Sequence, residues 1–91
     1  MSQLIPQEVV EATKMLLARL RDGDMVCIDD RCVWARGDIT AAEVERDVAI
    51  TGRVYYRVKL LLAGGGSITA DIGESGELIT INLNEAEFRC D

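Results

Sequence analysis

The period of the hydrophobic pattern changes along this chain, and that change limits the fold more than any other feature. Placed about 100° apart on a helix, six residues between positions 6 and 22 fall on one face. They are Val9, Val10, Thr13, Leu16, Leu17 and Leu20. From Val54 to Leu62, apolar residues instead recur at every second position, which is the period of a strand. A helix followed by strands predicts an α+β domain.

The predicted helix over residues 6–22 carries signals at both of its ends. Pro6 suits the first helical position, because its fixed φ matches the helix and its missing N–H would have no partner there. Arg19 and Arg21 place positive charge in the last turn, where the helix dipole favours it. Gly23 then suits the residue after the helix end.

Two short apolar runs, residues 25–28 and 32–35, flank the charged residues between them and predict a β-hairpin. With Asp29 and Asp30 in the turn, Cys27 and Cys32 become direct cross-strand neighbours, which leaves a reversible disulfide geometrically open. An odd cysteine count without a secretory signal favours free thiols, buried as small hydrophobic side chains. Zinc is not expected, because the cysteine spacing is wrong and the chain has no histidine.

The segment after the hairpin has the local signals of a helix start. Thr40 and Glu43 are spaced as a capping box, and Ile39 and Val44 stand at the two positions of a hydrophobic staple. Together they predict a short helical turn near residues 41–47, with an extended connection as the alternative.

Three alternating segments, residues 54–62, 68–72 and 79–83, are joined by glycine-containing turns and predict an antiparallel meander. A helical turn capped by Asn84 is expected in the tail. The predicted fold is therefore α+β: an N-terminal amphipathic helix packed on an antiparallel sheet of about five strands, with the short turn at 41–47. Residues 1–91 are expected to form a single domain.

Several classes of function are disfavoured by residue types that the chain lacks. It has no histidine, the commonest general acid–base residue, and its glycine-rich segment 64–67 lacks the lysine and helix start of a phosphate-binding loop. We therefore expect no enzyme activity, no catalytic residues, no cofactor and no metal. No stretch approaches the roughly 20 apolar residues that span a bilayer, and the N-terminus has no secretory pattern. A cytoplasmic protein without membrane contact is expected.

Charge is unevenly distributed along the chain. Asp and Glu number 16 against 10 Lys and Arg, for a net charge of −6. Arg53, Arg57 and Lys59 nevertheless form a basic stripe on one face of a predicted strand, with Tyr55 between them. Three cations and one ring are a weak nucleic-acid footprint. We expect them instead to pair across the sheet with Asp71 or Glu77, without direct nucleic-acid binding.

The acidic residues between the helix and the basic stripe are the candidate partner-binding set. They are Asp29, Asp30, Asp38, Glu43, Glu45 and Asp47. Such a field steers association with a positively charged surface. In size and charge the chain is similar to the compact acidic proteins that phages and mobile elements encode, such as anti-restriction and anti-CRISPR proteins, although no motif carries the comparison.

The favoured prediction is a non-enzymatic protein that binds a partner with a basic surface, as an inhibitor or decoy of a complex that handles nucleic acid. The alternative is a homo-oligomeric structural or regulatory subunit that self-associates through a sheet edge or helix face. A ligand-binding module or an enzyme is less favoured.

Overall fold

A computed structural model describes residues 5–84 of the chain. Within these residues one helix, α1 (Gln7–Arg21), precedes six strands. The strands are β1 (Val26–Ile28), β2 (Arg31–Val33), β3 (Ile39–Val48), β4 (Val54–Leu62), β5 (Ser67–Gly73) and β6 (Leu78–Asn84). The predicted α+β class, with a helix on an antiparallel sheet, is confirmed. The strands divide into a β1–β2 hairpin and a four-stranded sheet in the order β3-β4-β5-β6, instead of one sheet of about five.

Helix α1 begins and ends within one residue of its predicted bounds. The carbonyl of Pro6 accepts the N–H groups of Val9 and Val10 at 3.0 and 3.1 Å, which closes the first turn. The face turned to the sheet buries Val9, Thr13, Leu16 and Leu20. Thr13 is tolerated there because its hydroxyl donates to the Val9 carbonyl at 2.8 Å, so no polar atom is left unsatisfied.

The β1–β2 hairpin forms as predicted, with Cys27 paired to Cys32 across the strands. Asp29 occupies the turn with φ at 53°, a left-handed conformation that Asp adopts more readily than most residues. Two expectations for the cysteines were wrong. Cys27 and Cys32 are joined by a disulfide, with their Cα atoms 4.0 Å apart, and both side chains are exposed. The alternation of the hairpin explains the exposure, because Val26 and Val33 take the buried positions.

The predicted helical turn at residues 41–47 is wrong, because this segment is the middle of β3. Its residues pair in register with β4 from Ala41 to Val48. The hydroxyl of Thr40, the supposed helix cap, donates instead to the Leu61 carbonyl at 3.3 Å. Alternation also runs through this segment, with Val44 half-buried and Glu43 and Glu45 exposed on the opposite face. Pairing with β4 therefore overrides the local capping signals.

The four-stranded sheet has one covered and one open face. Cross-strand partners share a face, so the register places Tyr56, Val58 and Leu60 of β4 beside Ile72, Ala70 and Ile68 of β5. These residues form the core with α1 and the hairpin. The buried hydrophobic residues are Val9, Leu16, Leu20, Val26, Val33, Tyr56, Val58, Leu60, Leu62, Ile68, Ala70, Ile72 and Ile81. The opposite face, called here the outer face, carries polar and charged side chains.

The predicted meander over β4, β5 and β6 is confirmed, and β3 extends it by one strand. The β1–β2 hairpin lies alongside β6, at the end of the sheet opposite β3. The predicted turn capped by Asn84 lies outside the described residues. Among the residues described, no helix is long and apolar enough to cross a membrane.

Candidate protein-interaction surface

The six acidic residues singled out in the sequence lie at two opposite edges of the sheet. All six are exposed. Asp29 and Asp30 form the hairpin turn beside β6, whereas Glu43, Glu45 and Asp47 project from the outer face of β3. Three strand spacings, roughly 14 Å, separate β3 from β6. Asp38 precedes β3, where its carbonyl accepts the Ala63 N–H at 2.8 Å. The set is therefore two acidic regions, with the larger one on β3.

The acidic residues of β3 stand directly opposite the basic stripe of β4. The register pairs Glu43 with Lys59, Glu45 with Arg57 and Asp47 with Tyr55. All of these side chains share the outer face, the side of the sheet away from α1. The sequence named both groups of charges but not their juxtaposition, because the segment carrying the acids was assigned to a helical turn.

Two residues of the basic stripe are engaged in ion pairs, one with β5 and one with the turn between β5 and β6. The Arg57 Nε donates to Asp71 Oδ1 at 3.0 Å, and Thr80 donates to Asp71 Oδ2 at 3.2 Å. Arg53 pairs with Glu77 at 2.5 Å. The predicted pairing of the stripe with Asp71 and Glu77 is thus confirmed for these two arginines. The hydrogen bond to Asp71, together with its charge, raises the pKa of Arg57.

Because Arg53 and Arg57 pair with Glu77 and Asp71, they form no ion pair with the two glutamates of β3. Within residues 5–84, neither Glu43 nor Glu45 has a cationic nitrogen within 4.0 Å. Lys59, in the same part of the chain, has no ion pair either, although it lies opposite Glu43. Since Arg57 turns towards Asp71, the exposed Glu45 side chain has no ion pair with the arginine that lies opposite it.

Asp47 is the last acidic residue of β3, and its carboxylate accepts two hydrogen bonds. Its Oδ1 accepts the Val48 N–H at 2.8 Å, and its Oδ2 accepts the Tyr55 hydroxyl at 3.0 Å. The Val48 bond, followed by the Tyr55 bond, holds the pKa of Asp47 below its usual range. The same bond to Asp47 raises the pKa of Tyr55, and the Arg57 guanidinium lies 5.7 Å from the Tyr55 ring centre.

The outer edge of β3 presents unpaired backbone groups. The Ala49 N–H donates to the Arg53 carbonyl at 2.8 Å, so Ala49 faces β4 and its even-numbered neighbours along the strand face away. Those neighbours are Ala42, Val44, Arg46 and Val48. The Val48 N–H is already taken by Asp47. Within the described residues, the amides of Ala42, Val44 and Arg46 remain open. The sequence did not reveal this edge, since a helical turn has none.

A cleft of about 520 Å³ lies between the hairpin turn and β6. Its walls are residues 28–31 and 79–82, and Arg31 donates across it to Asn82 Oδ1. In the described part of the chain, no three His, Cys, Asp or Glu side chains are grouped so as to hold a metal ion.

No protein-family model matches the chain, and no curated protein and no solved structure matches it either. The charges of the outer face and the open edge of β3 are therefore the observations from which a function can be inferred.

Proposed function

We propose that this protein is non-enzymatic and acts by binding another protein through its acidic surface. The observation that carries the proposal is the pair of exposed glutamates on β3, Glu43 and Glu45, which have no ion pair within residues 5–84. A net charge of −6 adds a field that attracts a basic partner from a distance. Binding such a partner would give the two glutamates the ion pairs that they lack within residues 5–84.

The kind of partner that fits best is a nucleic-acid-handling complex, because its working surface must be basic to hold phosphates. An acidic protein that covers this surface acts as an inhibitor or decoy, in the manner of anti-restriction and anti-CRISPR proteins. Asp29, Asp30 and Asp38 extend the negative field beyond β3. We propose a cytoplasmic location, in which the Cys27–Cys32 disulfide described above would be reduced to two thiols.

Two other functions receive less support from the same surface. Direct nucleic-acid binding would need free cations, yet Arg53 and Arg57 are engaged with Glu77 and Asp71. Self-association through β3 would place acidic side chains of one copy against those of the other, and like charges directly opposite are destabilising.

The proposal is tested by capturing the partner and then measuring how charge controls its association. The tagged protein is incubated with nuclease-treated lysate of its native host, and captured proteins are identified by mass spectrometry. Association with the purified partner is then followed at about 0.1 M and about 1 M salt, between which the Debye length falls from about 10 to about 3 Å. We expect association to slow at high salt, with a smaller change in dissociation.

Charge reversal gives the matched comparison. Glu43→Lys with Glu45→Lys should slow association more than Glu11→Lys with Asp22→Lys, which makes the same change in net charge on α1 and at the residue that follows it. Reversal of Asp29 and Asp30 to Lys should have an intermediate effect. The proposal fails if Arg57→Glu with Lys59→Glu abolishes binding while the β3 reversal leaves it unchanged, because that pattern belongs to a nucleic-acid binder.

A further inference from the structure

We propose that the outer edge of β3 receives an extended segment of the partner, which adds antiparallel to β3 as a fifth strand and carries Lys or Arg at alternate positions. This inference rests on the proposed function for its choice of a basic protein partner. It adds the place of docking, the conformation of the bound segment and the spacing of its charges.

The edge has the properties of a strand-addition site. β3 is long, Ile39–Val48, and among residues 5–84 it pairs only with β4. Most of its side chains are exposed on both faces of the sheet, so no element of the described chain covers the place of a neighbouring strand. Unpaired strand edges of this kind are templates on which peptides add by backbone hydrogen bonds.

Features at both ends limit the open edge to residues 42–46. At one end, the Asp47 carboxylate already holds the Val48 N–H. At the other end, a bulge between Ile39 and Ala41 shifts the register. The open amides of Ala42, Val44 and Arg46 lie between these ends. A bound segment therefore makes its main-chain hydrogen bonds opposite these three residues.

The side-chain pattern follows from the same alternation. Glu43 and Glu45 bond to β4 through their backbone, so their partners on an added antiparallel strand form non-hydrogen-bonded pairs, in which side chains are closest. Lys or Arg at those two positions would meet both glutamates. The residue between them lies opposite Val44, which is half-buried against the core, so an apolar side chain fits there.

A second copy of this chain does not fit the edge. In an antiparallel self-pairing, the even-numbered residues with open backbone groups pair with one another. The odd-numbered residues then also pair with one another, and the register that pairs Val44 with its own copy sets Glu43 of each copy against Glu45 of the other. The edge therefore disfavours its own copy and favours a basic strand.

A short synthetic peptide serves as the probe. Threonine–lysine–valine–lysine–threonine, with both ends blocked, places lysines opposite Glu43 and Glu45 and valine opposite Val44. The protein, labelled with ¹⁵N, is titrated with this peptide at low salt and followed by NMR. We expect shift changes along β3, and slower hydrogen exchange at the amides of Ala42, Val44 and Arg46, because these amides gain acceptors.

N-methylation separates backbone pairing from charge attraction. In the proposed arrangement the valine N–H points at β3 and the lysine N–H groups point away. Methylating the valine nitrogen should weaken binding about tenfold, whereas methylating both lysine nitrogens should change it little. In a parallel arrangement these effects would be exchanged, so that result overturns the proposal.

Matched variants test the same two contributions on the protein. Arg46→Pro removes the Arg46 N–H, which points away from β4, so the pairing of β3 with β4 should be kept. Arg46→Ala is the control, because it removes the side chain and keeps the N–H. The proline variant should bind about tenfold more weakly than the alanine variant. If the proline variant does not fold, the methylated peptides still decide the question.

Neutralisation tests the charges. Glu43→Gln with Glu45→Gln should weaken binding about 3- to 10-fold, as expected for two cross-strand ion pairs. Asp29→Asn with Asp30→Asn makes the same change in net charge at the other edge and should have a much smaller effect.

The proposal is overturned if the peptide shifts no β3 amide, or if both neutralised pairs weaken binding equally. Strand addition would then be wrong, while salt-dependent capture of a basic partner could still succeed. Conversely, loss of salt-dependent partner capture with intact peptide docking would reject the proposed function alone.

Discussion

Asp47 and Tyr55 form a cross-strand pair on the outer face, and each changes the pKa of the other. The neutral Tyr55 hydroxyl donates to the Asp47 carboxylate at 3.0 Å, and ionising Tyr55 would replace this bond with repulsion between two negative charges. We expect Asp47→Asn to lower the pKa of Tyr55 towards its usual range. Ultraviolet absorbance titration of tyrosine would detect the change, with Tyr55→Phe identifying which transition belongs to Tyr55. An unchanged Tyr55 transition in Asp47→Asn would contradict the pairing.

Gly76 permits a close contact between the β5–β6 turn and α1. Its φ is 89°, and a Cβ at this position would lie 2.8 Å from the Glu8 carbonyl oxygen. Gly52 has a similar φ of 87° but open space around the same point. We expect Gly52→Ala to lower the free energy of unfolding by about 1 kcal/mol, because of backbone strain alone. Gly76→Ala should lower it by about 1–3 kcal/mol more, because its Cβ would also clash with the Glu8 carbonyl. Urea unfolding measures both values. Equal costs would mean that the turn moves freely away from the helix.

At the scale of elements, α1 is held to the sheet by one narrow face. Leu16 is 5% exposed in that face, and the adjacent Met15 is 66% exposed. Leu16→Ala should therefore lower the free energy of unfolding by about 2–5 kcal/mol, whereas Met15→Ala should change it by less than about 0.5 kcal/mol. Chemical denaturation of the two variants measures both values. Similar values for both would show that the buried face of α1 is assigned incorrectly.

The β1–β2 hairpin combines a disulfide with a small apolar contact. The bond closes a short loop, since Cys27 and Cys32 are separated by five positions in the sequence, so the chain-entropy model assigns it only about 2 kcal/mol. Val26 and Val33 are buried on the face of the hairpin opposite the two exposed cysteines. We expect reduction to lower stability by about this amount, with the NMR spectrum of the sheet unchanged and partner binding retained. Loss of the β6 resonances on reduction would show that the bond, not the packing, holds the hairpin.

How far each element could be predicted depends on whether its signals are local. Helix α1, the hairpin and strands β4 to β6 carry their own periodicity and turn residues, and all were predicted. β3 carries conflicting local signals, because Thr40 and Glu43 fit a helix cap while Val44 and Glu45 alternate as in a strand. Pairing with β4 decides between them, and that contact is distant in sequence. The disulfide was also missed, since spacing permits but does not require it.

The candidate surface was predictable in its residues but not in its arrangement. The sequence identified the acidic set and the basic stripe, and it predicted that Arg53 and Arg57 pair across the sheet. It grouped Asp29 and Asp30 with Glu43 and Glu45, which the sheet order places at opposite edges. The open backbone of β3 follows only from the strand order, so the docking edge could not be inferred before the fold was known.

At the scale of the whole molecule, surface carboxylates should make stability depend on acid pH. Asp47 and Glu77 have folded-state pKa values below their usual range, Asp47 through the Val48 N–H and Glu77 through the Ser75 hydroxyl and Arg53. The unfolded chain therefore binds protons first as the pH falls. The contribution of these two carboxylates to the free energy of unfolding is fully present above their unfolded-state pKa values. It should be lost as the pH falls from there through their lowered folded-state pKa values. Thermal unfolding across this range measures the decline, and Asp47→Asn with Glu77→Gln should show a shallower one. An identical decline in this double variant would assign the acid sensitivity to other carboxylates.

The two edges of the four-stranded sheet are unlike, since the hairpin lies alongside β6 while β3 is open. Within the described residues, such a subunit therefore offers one site at which a partner's strand can be added. It receives a segment at β3, whereas among residues 5–84 the hairpin lies against β6, where a further strand would add. Complexes formed by strand addition should therefore keep a one-to-one stoichiometry at any concentration. A partner that builds filaments by passing strands from copy to copy would be terminated by this protein instead of extended.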